Sequence, residues 1–290
     1  MLKAIRYDLL GFEKDVKPVE ASIARHSLCF RHDQDDPEIH IVVGGDGTIQ
    51  AKEVKKRILD GKPVLPVHNR DGSRAFNSKK SLGFVADVTL DNLHVALEDI
   101  AQGRSFPREE RLLACSINSE MKGTAICDIA IKSSNPFSTI LFAAVVLKAD
   151  DKKLERPPSP KCDILLASTK YGSTAWNLSM GGPINVDVPN CMQLSYGGAS
   201  IKHAHFLYST RDVIKIELCA DTLVSIDGIT DVHEGRKGDL VEITGSEDFI
   251  KLLRTDRTFE SLNSKIGRQI QYSHNSIMSS ALFPEAAEKQ

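Results

Sequence analysis

The stretch Ile39-His40-Ile41-Val42-Val43-Gly44-Gly45-Asp46-Gly47-Thr48 decides how the rest of the chain is read. Its apolar run Ile39 to Val43, closed by two glycines, has the texture of a strand buried on both faces of a parallel sheet. Downstream, Thr48 to Asp60 places Val54 and Ile58 on one helical face with Ala51 nearby, and turns Lys52, Glu53, Lys55 and Lys56 towards solvent. Pro63 to Val67 then reads as the next strand, giving a β-turn-α-β rhythm. A second helix is expected after Thr89, where Leu93, Leu97 and Ile100 share a face and Gly103 supplies a stop. These elements predict a parallel sheet with helical covers.

The glycines of the turn permit positive φ and bring backbone N–H groups close to a ligand, and a helix N-terminus favours anions. The turn therefore reads as a phosphate site, with Thr48 placed to cap the helix. It lacks the lysine of a G-x-x-x-x-G-K-[ST] loop and the spacing of G-x-G-x-x-G. A carboxylate beside phosphate repels it unless it accepts a hydrogen bond from a substrate hydroxyl or meets a bridging Mg²⁺. Asp46 thus suits a kinase acting on a hydroxyl, which needs positioning, a proton acceptor and charge neutralisation. The alternative is that Asp46 only satisfies turn amides as an Asx cap.

Beyond Gly103 the texture changes to short β-rich runs: Leu112 to Ile117, Thr124 to Ile131, Ile140 to Leu147, Ile164 to Ala167, Val213 to Leu218, Leu223 to Ile226 and Leu240 to Thr244. Phe249 to Leu253 reads as helical or irregular. The expected architecture is an α/β N-terminal domain with a parallel sheet, residues 1–104, and a mostly β C-terminal domain, residues 105–254. The tail 255–290 is free to pack back on the first. His68 to Lys80 reads as a polar loop whose Arg70, Arg74, Lys79 and Lys80 suit an anion or plain solvent equally.

At 290 residues the chain has room for about two domains. Hydrophobic residues are 41% and charged residues 26%, which excludes a disordered or low-complexity chain. Lys plus Arg number 37 against 39 for Asp plus Glu, so no global field steers nucleic acid or anionic lipid, and neither is expected as a partner. The six cysteines form no C-x-x-C pair and read as free thiols. Without a signal-peptide core or a long apolar run, a cytoplasmic, soluble protein is expected. His203 and His205 alternate on a possible strand but have no third ligand nearby, and no protein metal site is expected.

A second cluster, Gly172-Ser173-Thr174-Ala175-Trp176-Asn177-Leu178-Ser179, leads to Gly181-Gly182-Pro183. Small residues and hydroxyls after a strand admit a ligand, and Trp176 offers either a stacking face or a core anchor. The two clusters, in this order and about 125 residues apart, resemble the NAD kinase family. Further echoes are Leu82 to Phe84 with Asp87, Gly103 with Arg111-Leu112, Asp163, and Asp227-Gly228. The match spans roughly residues 39 to 250.

The resemblance implies an NAD kinase: phosphoryl transfer from ATP or polyphosphate, with Mg²⁺ bound through the phosphates, to the adenosine-ribose 2′-hydroxyl of NAD. On that mapping Asp46 is the catalytic carboxylate, Gly45, Gly47 and Thr48 lie near phosphates, and Phe84 lines the pocket. Thr174, Ala175, Trp176 and Ser179 contact the dinucleotide. Asp163 approaches the nicotinamide side from a neighbouring subunit, which implies a homodimer or homotetramer. Where the family has an Asn-Glu pair gripping adenine and ribose, this chain has Cys127-Asp128, a shorter carboxylate beside a weak hydrogen-bonding partner. That departure leaves open a non-catalytic NAD- or NADP-binding relative; the GGDGT turn by itself also suits a lipid or sphingoid-base kinase, over which the Gly172 to Pro183 pattern favours the dinucleotide family. Lys170, where the family's segment is T-P-T-like, is either a phosphate partner or a surface charge.

Overall fold

The computed structural model describes residues 4–25, 29–68, 85–135, 137–150, 152–186, 188–199, 205–228 and 231–258. Its first part runs β1 (Ile5–Gly11), α1 (Glu13–Ala24), β2 (Phe30–His32), β3 (Ile39–Val43), α2 (Asp46–Gln50), α3 (Lys52–Ile58), β4 (Pro63–His68), β5 (Val88–Thr89) and α4 (Leu93–Ala101). The strands pair in parallel, β2 with β1, β1 with β3, β3 with β4 and β4 with β5. Every residue of β3 is buried, as expected of a strand covered on both faces. Val19 and Ile23 of α1 and Leu93, Leu97 and Ile100 of α4 close the core around Ile41, Val43, Leu65 and Val67.

The second part runs β6 (Ser105–Ile117), β7 (Glu120–Ala125), β8 (Asp128–Ser133), β9 (Phe142–Leu147), β10 (Leu154–Glu155), β11 (Ile164–Ser168), a 3-10 turn (Gly172–Thr174), the short helix α5 (Trp176–Ser179), β12 (Cys191–Gly197), β13 (His205–Ser209), β14 (Val213–Leu218), β15 (Thr222–Ile226), β16 (Val232–Gly235) and β17 (Leu240–Thr255). Strands β13, β12, β11, β8, β15 and β16 form one antiparallel sheet in that order. Inward residues such as Ile214, Ile216 and Leu218 alternate with outward ones and pack against Ile129, Ile131, Leu165 and Leu194 of that sheet.

Strand β17 joins the two parts. Its first half pairs antiparallel with β14 and β6, and its second half lies between β6 and β4, with Lys251 and Leu252 in parallel register with Pro63 and Val64. A third apolar cluster fills the junction: Val42, Ile49, Ile58 and Val64 meet Leu112, Ile126, Cys127, Tyr171, Ile250 and Leu252. The two parts therefore share a core where the glycine turn ends.

Several expectations are corrected. Thr48 to Asp60 is two helices, because Ala51 takes an extended conformation (φ −57°, ψ 131°) and its carbonyl starts the second by accepting from Lys55 N at 2.8 Å. The break turns Lys55 inward, to 6% exposure, where the amphipathic pattern placed it in solvent. Thr124 to Ile131 is two strands with a turn at Ile126-Cys127. Phe249 to Leu253 is strand; Ile250 and Leu252 are fully buried between β4 and β6, and an apolar run this short fits either period. Strands β1, β2, β5, β10, β12 and β16 and helix α1 are not legible in the sequence, and the strand expected at His205 runs on to Ser209 as β13. His68 closes β4 at 3% exposure and is no part of a polar loop. The rest of that loop, with Leu82, Gly83 and Phe84, His203 and the tail from 259, lies outside the described residues.

Candidate active site

Gly44 has φ +150°, and a Cβ there would fall 2.1 Å from Thr48 Oγ1. Only glycine lets β3 turn tightly enough to bring Thr48 beneath it. Thr48 is buried inside α2 and does not cap it: Gly45 is the N-cap, without a side-chain bond, and Thr48 N donates to Gly45 O at 2.9 Å. Gly45 is half-buried and Gly47 exposed, so the turn presents backbone to an incoming group. Half-buried Asp46 accepts from Val85 N at 3.0 Å through Oδ1. The Val85 carbonyl accepts from Arg254 Nη1 at 3.1 Å. The same guanidinium pairs with buried Asp87 and donates to Tyr171 Oη at 3.2 Å. The backbone facing Asp46 is thus tied to β17.

Across the junction, Cys127 is fully buried. Its Sγ accepts from Gln50 Nε2 at 2.9 Å, joining the end of α2 to the turn before β8. Burial, then the carboxylates of Asp227, Asp128 and Asp46, hold the Cys127 thiol well above its ordinary range, so it stays protonated. Asp46 and Asp128 therefore flank Cys127 from opposite halves of the molecule. Burial, and secondarily Asp227, push the Asp128 carboxyl up to about 7.

Thr169, just after β11, donates from Oγ1 to Ile126 O at 2.6 Å and from N to Cys127 O at 2.8 Å. A Cβ on Gly172 would lie 2.2 Å from Cys127 O, so this second glycine is required by close packing against the turn. The Gly172 segment is in this way laid directly on Cys127. Thr174 is buried, its hydroxyl donating to Tyr171 O at 3.0 Å, whereas Ala175, Trp176 and Ser179 are exposed. Trp176 is 40% exposed, which removes the core-anchor reading.

Asp163 is exposed at the other end of β11, about 20 Å along the strand from Thr169 at ~3.3 Å per residue. Lys170 is no loose surface charge: its side chain is 12% exposed and its Nζ lies 2.6 Å from Glu110 Oε1. Arg111 donates to Ser246 O and lies over the Phe249 ring. His205 bonds Ser195 Oγ through Nδ1 at 2.9 Å. All six cysteines are free. Among the described residues no cluster of three or more His, Cys, Asp or Glu could hold a metal ion. No described helix is long and apolar enough to cross a membrane.

Gln50, Lys55, Thr169 and Arg254 carry much of this geometry without having been singled out as site residues. Asp227 was visible only as an Asp-Gly turn, and Lys55 was hidden by a pattern that made it a solvent-facing position.

A strand–glycine turn–helix unit, closed by a β-rich half that lays a second glycine segment beside it, defines a two-part fold with the glycine turn at its junction. Comparison with known proteins shows what that fold and sequence are similar to. The chain is 26% identical over 266 residues to an NAD kinase of Sulfurimonas denitrificans, covering 89% of this chain and 86% of that one. It is 33% identical over 147 residues to an NAD kinase of Methanosarcina barkeri, covering 51% and 46%. In fold it matches an Archaeoglobus fulgidus NAD kinase solved in complex with ATP, with a TM-score of 0.70, 19% identity, and coverage of 90% of this chain and 98% of that chain. It also matches yeast NADH kinase complexed with NADH, with a TM-score of 0.68, 13% identity, and coverage of 89% and 85%. No protein-family model matches the chain. The chain is a relative of the NAD kinases, in sequence over most of its length and in fold.

Proposed function

We propose that the protein is an NAD kinase, a phosphotransferase that moves the ATP γ-phosphoryl group to the adenosine-ribose 2′-hydroxyl of NAD and yields NADP. The observation that carries the reading is the meeting of Asp46 with the Cys127-Asp128 turn at one junction, bridged by Gln50. A nucleophilic hydroxyl needs an acceptor for its proton within hydrogen-bond reach, and Asp46 is the half-buried carboxylate offered at the glycine turn. Gly45 and Gly47 leave backbone open for phosphates, and Thr48 holds the turn's shape from below. Asp128 receives a ribose hydroxyl. Thr174, Ala175, Trp176 and Ser179 form the wall against the dinucleotide, with the exposed Trp176 face available for stacking.

Mg²⁺ fits this site through the substrate: Asp227 is engaged by amides and Lys55, and the half-buried Asp46 carboxylate at the glycine turn would face an ion held by phosphate oxygens. When bound, the ion neutralises charge on the donor. Residues 1–104 act as the phosphate-side unit and 105–254 as the dinucleotide-side unit, with the junction as the cleft. Asp163, exposed at the end of β11 away from Thr169, suits a role towards a neighbouring subunit in a homodimer or homotetramer working in the cytoplasm. The test is NADP formation by purified protein from NAD, Mg²⁺ and either ATP or polyphosphate. Turnover with one donor is the expected result. Calorimetric NAD binding without turnover on either donor would instead make this a binding relative.

A further inference from the structure

Asp227 has φ +53° and precedes Gly228 at φ +92°. This left-handed pair turns the Asp227 carboxylate back onto the chain before β8, where it gathers three consecutive amides. Oδ2 accepts from Ile126 N at 2.8 Å, and Oδ1 accepts from Cys127 N at 2.7 Å and Asp128 N at 3.3 Å. Its own N–H donates to Asp128 O at 2.9 Å. The fourth partner comes from the other half of the molecule: Lys55 Nζ on α3 lies 3.1 Å from Oδ2 and donates to Thr124 O at 2.7 Å. The Lys55 and Asp227 side chains are 7% and 0% exposed.

We propose that Lys55 is a positioning residue for phosphoryl transfer: through Asp227 it fixes the Ile126–Asp128 turn, and with it Asp128 and Cys127, in register with Asp46. The kinetic part of this inference rests on the NAD kinase reading, and the structural part does not. Removing one partner of a buried ion pair leaves a buried charge that must be neutralised or hydrated. Asp227 lies beside Asp128, so without Lys55 it takes up a proton, and a protonated carboxyl is a poorer acceptor for three amides. The turn that carries Asp128 then loosens. The neighbouring Lys52–Asp231 pair, at 2.8 Å, spans the same junction, but its lysine is 57% exposed, and exposed pairs contribute little. It provides an internal control.

The experiment compares the full-length parent with Lys55→Met, Lys55→Gln and Lys52→Met by amide hydrogen exchange and by steady-state NADP formation. Lys55→Met is expected to exchange at Ile126, Cys127 and Asp128 at least tenfold faster, with exchange in β14 unchanged. Its kcat falls at least tenfold, and KM for NAD changes less than kcat. Lys55→Gln keeps a donor for Thr124 O and covers the case in which Lys55→Met does not fold; its exchange is at least threefold faster. Lys52→Met stays within twofold of the parent on every readout. Parental exchange at 126–128 in a folded Lys55 variant overturns the proposal, as does parental kcat where exchange has risen. If the parent makes no NADP, the kinase reading fails, and the exchange data alone decide whether Lys55 holds the turn.

Discussion

The turn at Gly44–Thr48 and the turn at Ile126–Asp128 meet at one junction and treat backbone amides in opposite ways. The first uses glycines: Gly44 takes a positive φ, and Gly47 is exposed with nothing within 4 Å of where its Cβ would be. Its backbone is open to solvent at Gly47. The second contains no glycine, and its three amides are gathered inward by Asp227, whose charge is met by Lys55. One turn leaves its backbone open to solvent, and the other encloses the buried Asp227 carboxylate, which accepts from the residues beside it. A hydroxyl acceptor held at the second and a phosphate held at the first would meet at Asp46.

Glycine substitutions separate the two most sharply. Gly172→Ala drives a Cβ to 2.2 Å from Cys127 O and 2.9 Å from Ser168 Cβ, where backbone on one side and a strand on the other cannot yield. It is expected to destabilise the protein by about 1–3 kcal/mol, read as a lowered urea midpoint with an unchanged slope. Gly47→Ala meets open space and should leave stability within ~0.5 kcal/mol while weakening kcat/KM for ATP several-fold, because a methyl group now stands where phosphate approaches. If Gly47→Ala destabilises as much as Gly172→Ala, the contrast between an open turn and a packed one fails.

The charged turn has a pH signature. Burial and Asp227 raise the Asp128 carboxyl from 3.8 to about 7, so ionising it opposes folding. Its contribution to stability is fully present below pH about 4 and is lost as pH rises through about 7. Asp128→Asn is therefore expected to raise Tm at pH 8 relative to the parent and to leave it nearly unchanged at pH 4. The same substitution should remove a rise in kcat/KM for NAD between pH 6 and 8, because the ionised carboxylate is the better acceptor for a ribose hydroxyl. A parent profile flat through pH 7 would remove Asp128 from substrate contact. The smallest effect belongs to Trp176→Ala: a stacking contact of about 0.5–1.5 kcal/mol corresponds to a KM for NAD raised about two- to tenfold, with the urea midpoint little changed since the ring is 40% exposed.

The sequence made the glycine turn, β3 and α4 legible because each signal is local: a continuous apolar run, a pair of glycines, a face repeating every three to four residues. The Gly172 segment was legible as a cluster of small residues after a strand but not as a packing surface, since the carbonyl that requires Gly172 belongs to Cys127, 45 positions earlier. Lys55 was misread for the same reason. Its place in an amphipathic pattern speaks for solvent, and the carboxylate that draws it inside lies 172 residues away. Strand β17 went unread past Thr244 because the bulge between Gly245 and Phe249 breaks its alternation. What decides these positions is pairing between distant segments, which no window along the chain contains.

On the proposed function, Asp46 performs chemistry at a site assembled from both halves. The most direct measurement is turnover and NAD affinity side by side for the parent and Asp46→Asn, which keeps size and removes the charge. NAD binding within a few-fold of the parent, together with NADP formation reduced at least about a hundredfold, is the predicted result. Undiminished NADP formation by a folded Asp46→Asn protein would contradict it.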